Sequence, residues 1–298
     1  MQKVLVICGP TCVGKSKFAR YLAKELDGEL INGDSMQVYK EMNIGTAKES
    51  EEAYDGVPHH LFDIKTIKDS FSVAEFQTLL RAKIEEIAGR NRLPIIVGGT
   101  GLYLKAGLYD YMFLEREKSD EELNKKSTQE LYDILIDIDA DTAKEIHPNN
   151  RKRIIRAIEL FYETGVGKSG LNKQQEHKPI YDVIYLGLTR PRAQLYELIN
   201  QRVDEMFEAG LEEEARYVIA NANPHSTALQ AIGYKEFIDC NDNEIIKAKI
   251  KQNTRRFAKR QYTWFNNQMD VHWVDVSDKT VDEIYQQVKD ELGAWING

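Results

Sequence analysis

Cysteine is scarce in this chain and falls into no pattern. Cys8, Cys12 and Cys240 are odd in number and lack metal-ligand spacing, which fits a reducing compartment and argues against a disulfide framework or a zinc site. No apolar stretch approaches the roughly 20 residues of a membrane span. The N-terminus enters a strand pattern directly, without the features of a cleavable signal. A cytoplasmic protein with no membrane association is expected. A disorder-prone composition is missing as well: 42% of the 298 residues are hydrophobic and 30% charged, enough for one large or two smaller globular domains. Nor is there an excess of positive charge, and the net charge of −8 speaks against a nucleic-acid partner until its distribution is considered.

Against these absences stands one phosphate-loop pattern, G-x-x-x-x-G-K-[ST], in Gly9-Pro10-Thr11-Cys12-Val13-Gly14-Lys15-Ser16. Val4 to Cys8 before it has the continuous apolarity of a strand buried on both faces, and Lys17 to Lys24 after it has apolar residues at helical spacing. Glycines let backbone N–H groups close around phosphate oxygens, the helix N-terminus adds partial positive charge, Lys15 adds a full one, and Ser16 can reach Mg²⁺. A bound di- or triphosphate is expected. Cys12 within the loop reads as a reactive thiol or as a packed, inert one.

Other segments qualify that reading. Gly28 to Tyr39 reads as a short strand and polar turn, and parallel crossover is expected because helical segments separate the strands. Asp34 would then lie near the phosphate loop at the carboxyl ends of the strands, as a general base, a metal holder or a turn aspartate. Leu93 to Val97 is another buried strand, ending in Gly98-Gly99-Thr100-Gly101 where a nucleotide hydrolase would usually carry an acidic residue for magnesium. No Ser, His and Asp arrangement suggests a hydrolytic triad. His59 and His60 are expected in a loop, as surface or packing histidines.

The positive charge is clustered. Lys247, Lys249, Lys251, Arg255, Arg256, Lys259 and Arg260 occur with no acidic residue among them. At about 100° per residue, Ile246, Ile250, Phe257 and Trp264 form one stripe with Arg255 and Lys259 opposite and Arg256 on the flank. In the run from Arg151 to Glu163, Ile154, Ile158 and Phe161 share a face, with Lys152 and Arg156 opposing it. Either cluster reads as solvated surface or as a contact for a phosphate backbone. Strand signals fade from about Tyr111 to Pro179, where Ser127 to Glu130 offers a capping box. They return at Tyr181 to Leu188, and Leu195 to Ala220 and Asn243 to Phe265 look helical. The predicted fold is α/β: a phosphate-loop NTPase-like parallel sheet flanked by helices, with a mostly α-helical insertion. Residues 1–112 would form the first part of the core, 113–180 the insertion, and 181–298 the second part with the basic C-terminal helices.

Eight stretches carry a family resemblance: GPTCVGKS (Gly9 to Ser16), NGDSMQVYKEMNIGTAK (Asn32 to Lys48), GVPHHLFDI (Gly56 to Ile64), VGGTGLYLKA (Val97 to Ala106), HPNNRKRIIRAIE (His147 to Glu159), QRVDEMFEAGL (Gln201 to Leu211), QAIGYKEF (Gln230 to Phe237) and TRRFAKRQYTWF (Thr254 to Phe265). In these, in family order, the chain resembles the bacterial tRNA dimethylallyltransferases, or tRNA isopentenyltransferases. It departs from them at Cys12, where small residues are usual, at Glu49, where a proline commonly follows the lysine, and in a short segment around Glu115 to Thr128. The zinc finger of some eukaryotic relatives has no counterpart here.

The resemblance implies transfer of a dimethylallyl group from dimethylallyl diphosphate to N6 of the adenosine immediately 3′ of the tRNA anticodon, with no need of ATP. The loop Gly9 to Ser16 would hold the diphosphate, with Lys15 and a Mg²⁺ at Ser16 neutralising the leaving pyrophosphate. Asp34 would accept the proton of the amine. Ser35, Met36 and Gln37 would line the adenine pocket, and Thr100 would hydrogen-bond the base or the diphosphate. Arg151, Arg153, Arg156, Arg255, Arg256 and Lys259 would hold the anticodon stem-loop or, for some, the pyrophosphate. The tRNA and the prenyl diphosphate are the expected partners, and no stable protein partner is implied. A small-molecule or nucleotide kinase and a non-catalytic RNA-binding protein are the other readings.

Overall fold

The computed structural model describes residues 1–111, 113, 121–174, 178–224 and 226–298. They form two compact units, one of Met1–Tyr109 with Pro179–Gly298 and one of Asp110–Lys178. The strands are β1 (Lys3–Cys8), β2 (Gly28–Asn32), β3 (His59–His60), β4 (Leu93–Val97), β5 (Asp182–Thr189) and β6 (His272–Asp275), in a sheet ordered β3-β2-β4-β1-β5-β6 with every pairing parallel. In chain order the helices are α1 (Lys15–Glu25), α2 (Val73–Gly89), α3 (Gly101–Leu108), α4 (Glu121–Lys125), α5 (Thr128–Ile138), α6 (Ala140–Glu145), α7 (Arg151–Thr164), α8 (Lys168–Gln174), α9 (Arg192–Glu208), α10 (Leu211–Asn221), α11 (Asn243–Gln268) and α12 (Val281–Asn297). Among the described residues no helix is long and apolar enough to cross a membrane.

Burial on both faces explains why β1 is apolar without interruption. Val4, Val6 and Cys8 enter one core with residues of α2, α10 and α11, while Leu5 and Ile7 enter a second with residues of α1, α9 and α12. The parallel crossover after β2 is present: β2 pairs with β4, Gly28 opposite Leu93 and Asn32 opposite Val97. The second unit is helical throughout its described elements. Its core gathers Leu131 and Leu135 of α5 with Ile154, Ala157 and Ile158 of α7. The capping box forms, with the Ser127 N–H donating to Glu130 Oε2 at 2.7 Å and the Glu130 N–H to Ser127 Oγ at 3.2 Å. α7 ends at Gly165, whose φ of 69° continues no helix. The segment around Glu115 to Thr128 lies partly outside the described residues.

Three local expectations are corrected. His59 and His60 form an edge strand rather than a loop, opposite Leu30 and Ile31; a two-residue strand leaves no alternation to read. Leu195 to Ala220 is two helices, broken at Gly210 with φ 98°. The buried face of α11 runs through Ile246, Ile250, Ala258, Gln261 and Phe265, and Phe257 and Trp264 are only half-buried. That face is rotated by about 50° from the purely apolar stripe, because its centre is the polar residue Gln261. Arg255 is thereby half-buried, and its Nη1 donates to Asn200 Oδ1 at 2.6 Å.

Backbone packing at the strand ends leaves no room for side chains. A Cβ on Gly98 would lie 2.2 Å from the carbonyl carbon of Gly33, whereas one on the exposed Gly89, at the end of α2, would meet nothing within 4 Å. Gly98→Ala is expected to lower unfolding stability by about 3 kcal/mol, and Gly89→Ala to raise it by about 0.5–1 kcal/mol. Urea titration of the two variants checks both signs.

Candidate active site

Three turns at the carboxyl ends of β1, β2 and β4 build the site. After β1 the phosphate loop begins at Gly9, where φ is 130° and a Cβ would stand 2.5 Å from the carbonyl oxygen of Leu188. It closes at Gly14 (φ 107°), from which α1 starts with Lys15 and Ser16. Lys15 Nζ donates to the carbonyl of Pro10 at 2.7 Å. After β2 the buried Asn32 pins the next turn: its Oδ1 accepts from the Asp34 N–H at 2.8 Å, and its Nδ2 donates to the carbonyls of Asp34 at 3.0 Å and Leu61 at 3.1 Å. Asp34 Oδ1 in turn accepts from the Met36 N–H at 2.8 Å, so the residue shapes its own turn as well as facing the cleft. After β4, Thr100 Oγ1 accepts from the Ser35 N–H at 3.2 Å, which ties the third turn to the second.

Two cavities meet at Asp34. One, of about 240 Å³, is bounded by Thr11, Gly14, Lys15, Ser16, Asp34 and Gln37. The other, of about 280 Å³, has Asp34, Ser35, Met36 and Thr100 on one side and Val203 and Met206 on the other. Cys12, Arg202 and Phe257 also border both. Burial drives the Lys15 ammonium down to about 8, the Asp34 carboxylate being the chief opposing influence. Burial also pushes the Asp34 carboxyl upward, against the Met36 N–H and the charge of Lys15. Each charged group is therefore poised to gain from a partner of opposite sign. His59 borders the first cavity, stacked on Tyr54 with ring centroids 3.7 Å apart, and its pKa is lowered by burial.

The sequence and the fold have counterparts among known proteins. The IPP transferase family model matches residues 37–268. The tRNA dimethylallyltransferase of Anoxybacillus flavithermus is 48% identical over 304 residues, spanning 100% of this chain and 97% of that protein. The chain belongs to the IPP transferase family. A crystal structure of the full-length tRNA isopentenylpyrophosphate transferase of Bacillus halodurans is 43% identical with a TM-score of 0.76, covering 100% of this chain and 97% of that one. A eukaryotic dimethylallyltransferase acting on tRNA is 30% identical with a TM-score of 0.85, covering 98% of this chain and 78% of that one.

In this member of the IPP transferase family Thr11, Cys12, Gly14, Lys15, Ser16, Asp34, Ser35, Met36, Gln37 and Thr100 come together around the two cavities. Gly9, Pro10 and Val13 are buried and shape the loop from behind. The arginines divide. Arg256 and Lys259 are exposed on α11 beside Arg260, whereas Arg255 is held by Asn200. In the helical unit Arg153 is exposed. Arg151 donates to the carbonyls of Lys126 at 2.6 Å and Asn124 at 2.8 Å, and so clamps the end of α4. The sequence pattern puts Arg156 on the solvent face, but it is half-buried and faces Glu159 at 3.6 Å and Glu163 at 3.7 Å, carboxylates one and two helical turns further along the same side of α7. Two cleft residues escaped the sequence reading. Arg202 Nη1 lies 3.9 Å from Cys12 Sγ. Gln261 accepts the Thr11 N–H at 2.9 Å and donates to the Gly99 carbonyl at 3.0 Å. Both sit in the stretches that carry the resemblance, but a single cation or amide on a helix has no local signature.

Lys15 is half-neutralised near pH 8 in the free protein, and an anion beside it raises its pKa. Binding of an alkyl diphosphate above that pH is therefore expected to take up protons, approaching one per site at a pH of about 9. Calorimetry in buffers of different ionisation enthalpy measures the uptake, and Lys15→Met should abolish it.

Proposed function

We propose that this chain transfers a dimethylallyl group from dimethylallyl diphosphate to N6 of the adenosine 3′-adjacent to the anticodon in tRNA, in the cytoplasm, with release of pyrophosphate. The relatives' names support the reaction class. The observation that carries the reading is the position of Asp34, on the wall common to the phosphate-loop cavity and the second cavity. The second cavity combines an apolar wall of Ile199, Val203, Met206 and Phe257, which suits a prenyl group and the face of a base, with the cations Arg202, Lys235 and Arg260, which suit phosphates.

The backbone of the loop and Lys15 bind and orient the diphosphate, and the charge of Lys15 stabilises the negative charge that grows on the leaving group. Asp34 accepts the proton from the exocyclic amine, a weak nucleophile whose lone pair is delocalised into the ring. Its raised pKa makes it the stronger base. Thr100 and Ser35 hold the turn that aims it. Target adenosine must leave its stack to reach this depth, and the half-buried Phe257 and Met36 offer apolar contact in compensation. Ser16 presents a hard oxygen donor to the phosphate-loop cavity, which fits Mg²⁺, an ion that keeps most of its ligands as water and phosphate oxygens. When bound, that ion would supply further neutralisation of the diphosphate. Among the described residues no group of three or more His, Cys, Asp or Glu could hold a metal ion.

Unmodified tRNA incubated with the protein, Mg²⁺ and dimethylallyl diphosphate without ATP is expected to yield an adenosine heavier by one isoprenyl unit in nucleoside mass spectrometry. Asp34→Ala should abolish that product while tRNA affinity stays within about threefold; unchanged turnover would remove the general-base role. The exposed Arg256 supports contact with a phosphate backbone. Arg256→Ala is expected to lower the slope of log Kd against log salt by about one, and an identical slope would remove Arg256 from the tRNA face.

A further inference from the structure

The middle of the buried face of α11 is an amide where its neighbours along that face, Ala258 and Phe265, are apolar. Gln261 is only 5% exposed, and its side chain is engaged at both ends. Oε1 accepts the Thr11 N–H at 2.9 Å, and Nε2 donates to the Gly99 carbonyl at 3.0 Å. The fit is tight, since a Cβ on Gly99 would lie 2.1 Å from Nε2. An apolar residue of the same volume would satisfy the core, so burial alone does not call for glutamine.

What the two hydrogen bonds connect gives the amide its meaning. Thr11 belongs to the loop that takes the diphosphate. Gly99 precedes Thr100, whose hydroxyl accepts the Ser35 N–H next to Asp34. One side chain thus spans the turn that holds the electrophile and the turn that, through Thr100, braces the one carrying the proton acceptor. We propose that Gln261 is a positioning residue for prenyl transfer: it sets the separation between the phosphate loop and the Thr100–Ser35–Asp34 turns, and so the approach of amine to prenyl carbon. The proposal rests on the function proposed above. Each half-site is built from its own loop, so loss of the bridge leaves the affinities for both substrates in place and misaligns the reacting atoms.

Gln261→Met keeps the volume and removes both hydrogen bonds. Gln261→Asn keeps the amide but is one methylene too short to span both partners. Single-turnover prenyl transfer with both substrates saturating is expected to slow about 100-fold in either variant, the loss typical of about 1 Å of misplacement. Dissociation constants for dimethylallyl diphosphate and tRNA, measured separately, should stay within about threefold. Two results would overturn the assignment: transfer at the wild-type rate in both variants, or a fall in diphosphate affinity that accounts for the loss, which would make Gln261 a ligand group. If Gln261→Met does not fold, Gln261→Asn carries the test, and if neither folds Gln261 is a framework residue and the proposal fails. Wild-type protein that transfers nothing would count against the proposed function instead.

Discussion

The site depends on backbone meeting backbone at one end of the sheet. Parallel strands all deliver their carboxyl ends to the same edge, and neighbours are separated by under 5 Å. The turns after β1, β2 and β4 can share a cleft only if nothing projects between them. Gly98 against Gly33, and Gly9 against Leu188, meet that demand. Lys15, Asp34 and Thr100, distant in sequence, become neighbours because those glycines permit it.

A second tier of side chains makes the cleft rigid. Asn32 holds the Asp34 backbone at both its N–H and its carbonyl. Across the cavity, Glu214 accepts three consecutive N–H groups, those of Asn43, Ile44 and Gly45, each at 2.9 Å, and the Tyr234 hydroxyl at 2.6 Å. The loop so fixed carries Thr46, whose carbonyl accepts from Gln37 Nε2 at 3.0 Å. The orientation of a cavity-lining residue is therefore traceable to a glutamate on α10. The opposing shifts of Lys15 and Asp34 belong to the same logic: burial leaves each short of counter-charge.

Charge away from the cleft is sorted by partnership. A chain of net charge −8 displays Arg256, Lys259 and Arg260 on the outside of α11 while the inner face of that helix reaches the phosphate loop through Gln261. Arg151, Arg156 and Arg255 belonged to the same sequence clusters but are committed to carbonyls, carboxylates and an amide within their own units. Exposed and engaged arginines look alike in a sequence; only packing distinguishes a cation on the surface from one already held.

Much of this was legible from residues alone. Apolar runs of five residues identified β1 and β4, the glycine pattern located the phosphate loop, and a polar turn after an apolar segment put Asp34 at the same edge, because parallel topology turns chain order into spatial order. The capping box at Ser127 marked a helix start through local hydrogen bonding. Other features depend on partners far away in sequence. The rotation of α11 by about one side chain's width arises because its central contact is an amide seeking two backbone groups some 160 and 250 residues distant. The β3 edge strand exists only because β2 lies beside it. Arg202 and Gln261 became parts of the site when two helices closed over the sheet. Local propensity determined the elements and the loop chemistry; the pairing of buried polar groups, which local sequence does not encode, decided which side chains face the cleft.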